Sequence, residues 1–441
     1  MDQQTVIIQG DRIIKVVPSN QLKLSPKNNI IDGKGKFLIP GLWDAHVHFA
    51  YIEELAPSMF KLFLAHGITS VRDTGGKVLF VKKWRDLAKA NPGDAPRVKF
   101  AGPLIDGMPN VYDGSSPDKP PLSVGMATVE EALKMVDYLD SLEVDLVKAY
   151  EMLTPEQFTA IVDHAQKKGL KVTGHIPLSM DAITAAQTGI NSMEHLRNLE
   201  MTMANNFQTL LDQRKQLLKE GAQDQGGILR SRIHNAQRYQ AAVDGDTQQT
   251  QKVLQALAEN KVWQVPTLIL GAGNPIDRNF TKAEQQANLK YLPSPIEEQW
   301  RENIDLFSAT PISENSRLYS NWMLETVQKM KAAEVGIMAG TDCPIFFLLP
   351  GYSLHSELEM LVRAGLQPLE ALQAATLNPA SYFEMQDELG LIKENFLADL
   401  LILDANPLEN ISNTQKINAV IRNGKLHDRA ALDQMLKDLE E

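Results

Sequence analysis

Hydrophobic and polar positions alternate at both ends of this chain and change rhythm in between. Residues 5–8, 12–17 and 29–31 follow the two-residue period of half-buried strands, separated by Gly10-Asp11 and a polar turn. Residues 399–403 and 419–421, the latter followed by Asn423-Gly424, read the same way. In the middle, short apolar runs are followed by stretches such as 129–142, 155–168 and 179–187, where apolar residues recur at three- and four-residue spacing. Strand-helix repetition of this kind favours a parallel sheet with helices outside it. The candidate strands end near His48, Asp73, Ile105, Lys148, His175, His195, Thr267 and Asp342. Eight such units predict an α/β fold, a TIM-like (β/α)8 barrel.

In that fold chemistry sits at the carboxyl ends of the strands, so polar residues that terminate apolar runs are the candidates for function. Five of the eight strands end in potential metal ligands. In Asp44-Ala45-His46-Val47-His48 the two histidines project to one side of a strand and can share a divalent cation. Lys148 ends Val144-Asp145-Leu146-Val147, where an ammonium loses hydration and its pKa falls. His175 follows Lys171-Val172-Thr173-Gly174, His195 follows Ser192-Met193-Glu194, and Asp342 closes the run 335–341. Each has a commonplace reading when taken alone: a polar strand end, a lysine reaching solvent at the rim, a satisfied core histidine, a carboxylate capping the next segment. Together and in this order they point to one metal site.

The set His46, His48, Lys148, His175, His195 and Asp342 resembles, residue by residue, the binuclear metal-dependent branch of the amidohydrolase superfamily. Val71-Arg72-Asp73, Gly174-His175-Ile176-Pro177, Val265-Pro266-Thr267 and Leu354-His355-Ser356-Glu357-Leu358 are most similar to its imidazolonepropionase and prolidase-like (Xaa-Pro dipeptidase-like) members. The resemblance covers nearly the whole chain. It implies a small discontinuous β-sandwich built from residues 1–36 and 389–426, a barrel over 37–388, and a helical tail over 427–441. It also implies two divalent ions, zinc first among nitrogen- and oxygen-ligated metals, bridged by a carbamate that Lys148 forms with carbon dioxide. Two features depart from the pattern. Glu394-Asn395 replaces a glycine turn, which asparagine can adopt, and the chain begins later than its relatives, so a segment, such as a removed signal, is expected upstream of Met1.

The mechanism implied is hydrolysis by a metal-bridging hydroxide, with Asp342 as both ligand and base. Asp44 is placed either to orient an imidazole or to shape a turn. Tyr150, His355, Arg72 and Arg197 are the candidate substrate residues; Arg72 has the alternative of a packing partner for Asp73. His66, His164, His234 and His427 read as inert, and Cys343 should point away from Asp342. The substrate expected is a small molecule, a dipeptide or N-acyl amino acid. The alternatives are a lactone or phosphoester hydrolase on the same site, a mononuclear deaminase, and a non-catalytic barrel scaffold.

Composition narrows the setting. With 441 residues and 43% hydrophobic side chains the chain can bury a large core. A net charge of −11, spread along the chain, argues against nucleic acid or anionic membrane as partner. Apolar runs stop short of the roughly 18 to 20 residues needed to cross a bilayer. One cysteine, Cys343, excludes an intrachain disulfide. The expected compartment is cytoplasmic, with a periplasmic or secreted location the alternative if a signal precedes Met1. About 70 residues separate His195 from Val265, and a similar stretch follows Leu270, far longer than ordinary connections. Helical periodicity over 205–221 and 247–260 makes these excursions either a lid over the mouth or a contact between copies in a homo-oligomer.

Overall fold

Both ends of the chain meet in one small antiparallel unit. In the computed structural model, which describes residues 3–22, 25, 29–116 and 119–440, Gln4–Gln9 and Arg12–Pro18 form a hairpin. A four-stranded sheet runs in the order Lys425–Asp428, Ile417–Arg422, Leu400–Leu403, Phe37–Pro40. The hairpin is stitched to the returning chain by Ile13 N to Phe396 O (2.9 Å) and Asn395 N to Ile13 O (2.7 Å). Asn395 adopts φ +72°, the left-handed conformation its turn requires. Two expectations change here. Residues 29–31 form no strand, since Ile30 and Ile31 lie exposed without a ladder to join. Phe37–Pro40, which the expected barrel over 37–388 includes, pairs instead with Leu400–Leu403. The barrel strand proper is Leu42–Val47, entered after Gly41, where a Cβ would collide with Thr69.

The barrel is a ring of parallel strands. Leu42–Val47, Ile68–Asp73 and Arg97–Phe100 form one arc. Leu104–Gly107, Leu146–Ala149, Lys171–Gly174, Ser192–Glu194 and Trp263–Val265 form the other. The third strand is thus split around Gly102, at φ +80°. Residues 336–343 close the ring, with parallel bridges from Ile337 to Gln264 and from Cys343 to Val47. Leu42–Val47, Ile68–Asp73 and Leu146–Ala149 are buried at every position, as strands covered on both faces must be.

Helices on the outside begin where their capping chemistry says they should. Thr128 accepts from Glu131 N ahead of Val129–Ser141, and Thr154 and Gln157 form a reciprocal cap ahead of Pro155–Lys167. Asp181 caps Ala182–Thr188, which therefore starts later than the periodicity of 179–187 implies. The first excursion contains Leu199–Met203, Phe207–Glu220, Gly226–Val243 and Thr247–Glu259. The second holds a π-helical stretch, Ile269–Asp277, then Ser294–Ala309 and Glu314–Ala332 among its elements. Among the described residues no helix is long and apolar enough to cross a membrane.

Candidate metal centre

Strand ends bring the six sequence-singled residues to one cavity of about 140 Å³, lined by His46, His48, Lys148, His175, His195 and Asp342. His46 Nε2 and His48 Nε2 lie 3.2 and 3.0 Å from Asp342 Oδ1, and His195 Nε2 lies 3.7 Å from Asp342 Oδ2. The His46 ring stands 4.6 Å from that of His195, which is 5.0 Å from that of His175.

The other ring nitrogen decides what these histidines can do. His46 Nδ1 is 2.6 Å from Glu194 Oε2, and His48 Nδ1 is 2.7 Å from Gly75 O. His175 Nδ1 is 2.5 Å from Glu151 Oε1, and His195 Nδ1 is 2.7 Å from Thr267 Oγ1. With Nδ1 engaged by a protein partner in all four, Nε2 is left for the cavity. His175 Nε2 is buried without any polar partner, and His46 Nε2 and Asp342 Oδ1, though 3.2 Å apart, do not meet in hydrogen-bond geometry. Orphaned buried atoms of this kind are costly unless something else satisfies them. Burial pushes His175 down to about 3 and His195 well below its ordinary value, so both are neutral imidazoles, the ligand form. The donor set, nitrogen and oxygen with held second nitrogens, fits a divalent metal. His46, His195 and Asp342 already present three donor atoms within 4.8 Å of one another.

Lys148 is buried, and among the described residues its ammonium has no hydrogen-bond or ion-pair partner. Burial brings its ammonium down to about 8, against the pull of Glu194 and Asp342. Tyr150 and Arg197 also line the cavity, whereas two other candidates lie elsewhere. Arg72 is sealed inside the barrel, donating to Glu194 (2.8 and 3.0 Å), Ala45 O (2.5 Å) and Ser192 Oγ (3.0 Å). Its partner is Glu194, not Asp73, which instead accepts from the Phe49 and Gly75 amides. His355 sits on the Tyr352–Arg363 helix, bonded to Thr414 Oγ1 and His66 O at 3.0 Å each, away from the cavity. The direction of that helix turns it away from the mouth. Asp44 orients no imidazole; it accepts from Thr341 N, Thr341 Oγ1 and His46 N, tying the last strand to the first. Cys343 is buried and does not line the cavity.

Sequence reasoning missed the groups that hold the candidate ligands. Glu194 shares the inner face of its strand with Ser192, where it meets His46, Arg72 and Thr173, and His195 reaches the cavity only because the chain leaves strand geometry there, at φ +61°. Glu151, three residues past Lys148, holds His175, Arg230 and His234. Tyr112 and Arg230 join the cavity wall with Leu104, Leu122, Leu270 and Ile345. A buried glutamate beside a strand-end ligand was the available signal for the first two. His234, read as inert, is a partner of that network.

A model of the amidohydrolase family matches residues 37–213 and 288–427, more than half of the chain. An ochratoxinase of Aspergillus niger is 24% identical over 417 residues, spanning 88% of this chain and 75% of that protein. Among solved structures, a Xaa-Pro dipeptidase with bound methionine superposes with a TM-score of 0.67 at 20% identity, covering 96% of this chain and 94% of its own. A bottromycin amidohydrolase gives a TM-score of 0.72 at 20% identity, covering 99% and 86%.

Proposed function

The chain belongs to the amidohydrolase family, hydrolases of carbon–nitrogen bonds, and from that premise we propose that it cleaves the amide of a small carboxylate-bearing substrate, a dipeptide or N-acyl amino acid. The reading places two divalent ions, zinc first, on His46, His48, Lys148, His175, His195 and Asp342. The observation that carries it is the common direction of four imidazoles, each with Nδ1 held by the protein and Nε2 left for one cavity. Ions bound there supply Lewis acidity and lower the pKa of water.

The chain's own groups do the rest. Lys148 Nζ, as the neutral amine, would add to carbon dioxide and release one proton, giving a carbamate anion that would join the histidines and Asp342 in holding the ions. Asp342, at the end of the eighth strand, takes the proton of the attacking water at a carboxylate oxygen and returns it to the leaving nitrogen. Leu104, Leu122, Leu270 and Ile345 offer apolar surface to one part of the substrate. Arg197 is available for the carboxylate, because among the described residues its guanidinium has no hydrogen-bond or ion-pair partner, whereas Arg230 is committed to Glu151. Its likeness to a Xaa-Pro dipeptidase and to an ochratoxinase supports hydrolysis of an amide bond.

The test is a screen of zinc-loaded protein against dipeptides, N-acyl amino acids, lactones and phosphoesters, repeated with Asp342→Asn. Amide hydrolysis is expected, with turnover in the variant lower by about 100-fold, the usual scale of a lost general base. Hydrolysis confined to lactones or phosphoesters overturns the amide reading and leaves the metal site standing. Deamination of a heterocycle overturns the substrate class and the mechanism together.

A further inference from the structure

Glu151 does not line the cavity, yet it joins a candidate ligand to a helix of the first excursion. Its Oε1 lies 2.5 Å from His175 Nδ1 and 2.9 Å from Arg230 Nη2, and its Oε2 lies 2.6 Å from His234 Nε2. The carboxylate is fully buried. Arg230 and His234 stand four residues apart on the Gly226–Val243 helix, hence on one face of it. The same region has a second tie: the Arg230 guanidinium lies 5.9 Å from the centroid of the Tyr150 ring, and that ring packs 4.5 Å from His175. Tyr150 and Glu151, consecutive residues after Lys148, therefore clasp His175 on one side and the helix on the other.

The rest of the helix's buried face is a weak apolar seam. Leu229, Ile233 and Ala241 are buried, but so are His234 and Gln237. Buried atoms His234 Nδ1, Arg230 Nε, Arg238 Nε and Arg238 Nη2 have no hydrogen-bond partner. Arg238 approaches Glu200 only to 3.6 Å. Gln237 is bonded to Arg214 Nε and Leu210 O on the outer side of the helix, whereas the Arg230 and His234 contacts to Glu151 are the ones that tie it to the barrel beside His175.

We propose that Glu151 links metal loading to the docking of the Gly226–Val243 helix, which makes this helix a lid whose seating and the metal site stabilise each other. The proposal rests on the metal-site reading given above. A bound ion fixes His175 through Nε2, which fixes Nδ1–H on Glu151 and holds the carboxylate where Arg230 and His234 meet it. In the other direction, Arg230 and His234 fix the carboxylate that aims His175. Linkage requires the two effects to be equal: the helix tightens the metal by the factor by which the metal tightens the helix. Glu151 is a positioning residue in this account, since it acts through His175.

Zinc affinity, by competition with a chelator, and hydrogen exchange with and without zinc test the linkage in the full chain. Arg230→Met should weaken one bound zinc about tenfold, the lower end of what such supporting contacts are worth, and Arg230→Lys, which keeps the cation, should recover most of it. In the wild-type protein, zinc removal should raise exchange across 226–243 more than across Val129–Ser141, an outer barrel helix. The wild-type measurement decides the matter even if the methionine variant folds poorly. An Arg230→Met protein that holds zinc as tightly as wild type overturns the linkage, as does a helix whose exchange is the same in both states. Protein that binds no zinc overturns the metal site and the linkage together, whereas zinc binding without amide hydrolysis overturns the substrate reading alone.

Discussion

Glu194 shows how one inward-facing side chain sets the properties of several others. It accepts from Arg72 Nη2, lies 2.6 Å from His46 Nδ1, and is reached by Thr173 Oγ1, all inside the barrel. Burial alone would raise its pKa, but the Arg72 guanidinium and His46 overcome that and hold it well below the usual carboxylate range. Glu194→Gln keeps the size and removes the charge. The variant should lose zinc affinity by about 10- to 100-fold, because the amide no longer fixes the His46 tautomer. It should also lose about 3–5 kcal/mol of stability, because Arg72 stays buried without its counterion. Chelator competition and urea unfolding measure the two losses. A variant that keeps wild-type zinc affinity would show that His46 is aimed by something else.

At the scale of elements, what the sequence made legible followed from alternation. His46 and His48 share a side because a strand alternates, and Lys148, His175, His195 and Asp342 reach the same mouth because parallel strands point one way. The same alternation hid Glu194, whose neighbour His195 drew the attention. Arg230 and His234 were hidden differently: Gly226–Val243 buries polar residues, so its apolar periodicity is faint. His355 was misplaced because the Tyr352–Arg363 helix turns it toward Thr414. The small sheet has a polar anchor that hydropathy cannot reveal either. Asp399 accepts from Arg422 Nη1 (2.9 Å), Arg97 Nη1 (3.0 Å) and Asn423 N (2.7 Å), joining the sheet to the third barrel strand. Burial opposes its ionisation, but Arg422 and Arg97 prevail and lower its pKa. A lowered folded pKa contributes stability that is full above the unfolded value of about 4 and fades as pH falls through the folded one. Asp399→Asn should therefore cost about 3–5 kcal/mol near neutral pH. In urea unfolding the gap between variant and wild type should narrow below about pH 4. A gap that stays constant down to acid pH would mean that the charge of Asp399 is not what holds the sheet.

For the molecule as a whole, metal bound at the proposed site would share one free energy with the fold. Anything that binds only the folded chain raises stability, by about 2.7 kcal/mol at a hundred times its dissociation constant. Two adjacent dications repel, and the charge between them decides whether both stay. Lys148 as an ammonium would add a third cation there, whereas as a carbamate it supplies an anion. With its pKa brought down to about 8 by burial, Lys148 yields the free amine that reacts with carbon dioxide far more readily near neutral pH than an exposed lysine does. Zinc loading should therefore depend on dissolved carbon dioxide. In degassed, bicarbonate-free buffer the protein should take up about one zinc per chain, and added bicarbonate should bring it to two, with a higher Tm at the same zinc concentration. Lys148→Ala should stay near one zinc in both buffers, and short-chain carboxylic acids, which can occupy the vacated bridge, should restore part of the second ion and of the activity. If wild type binds two zinc ions with equal affinity whether or not bicarbonate is present, or if Lys148→Ala keeps both ions and full activity, Lys148 is not the bridging anion.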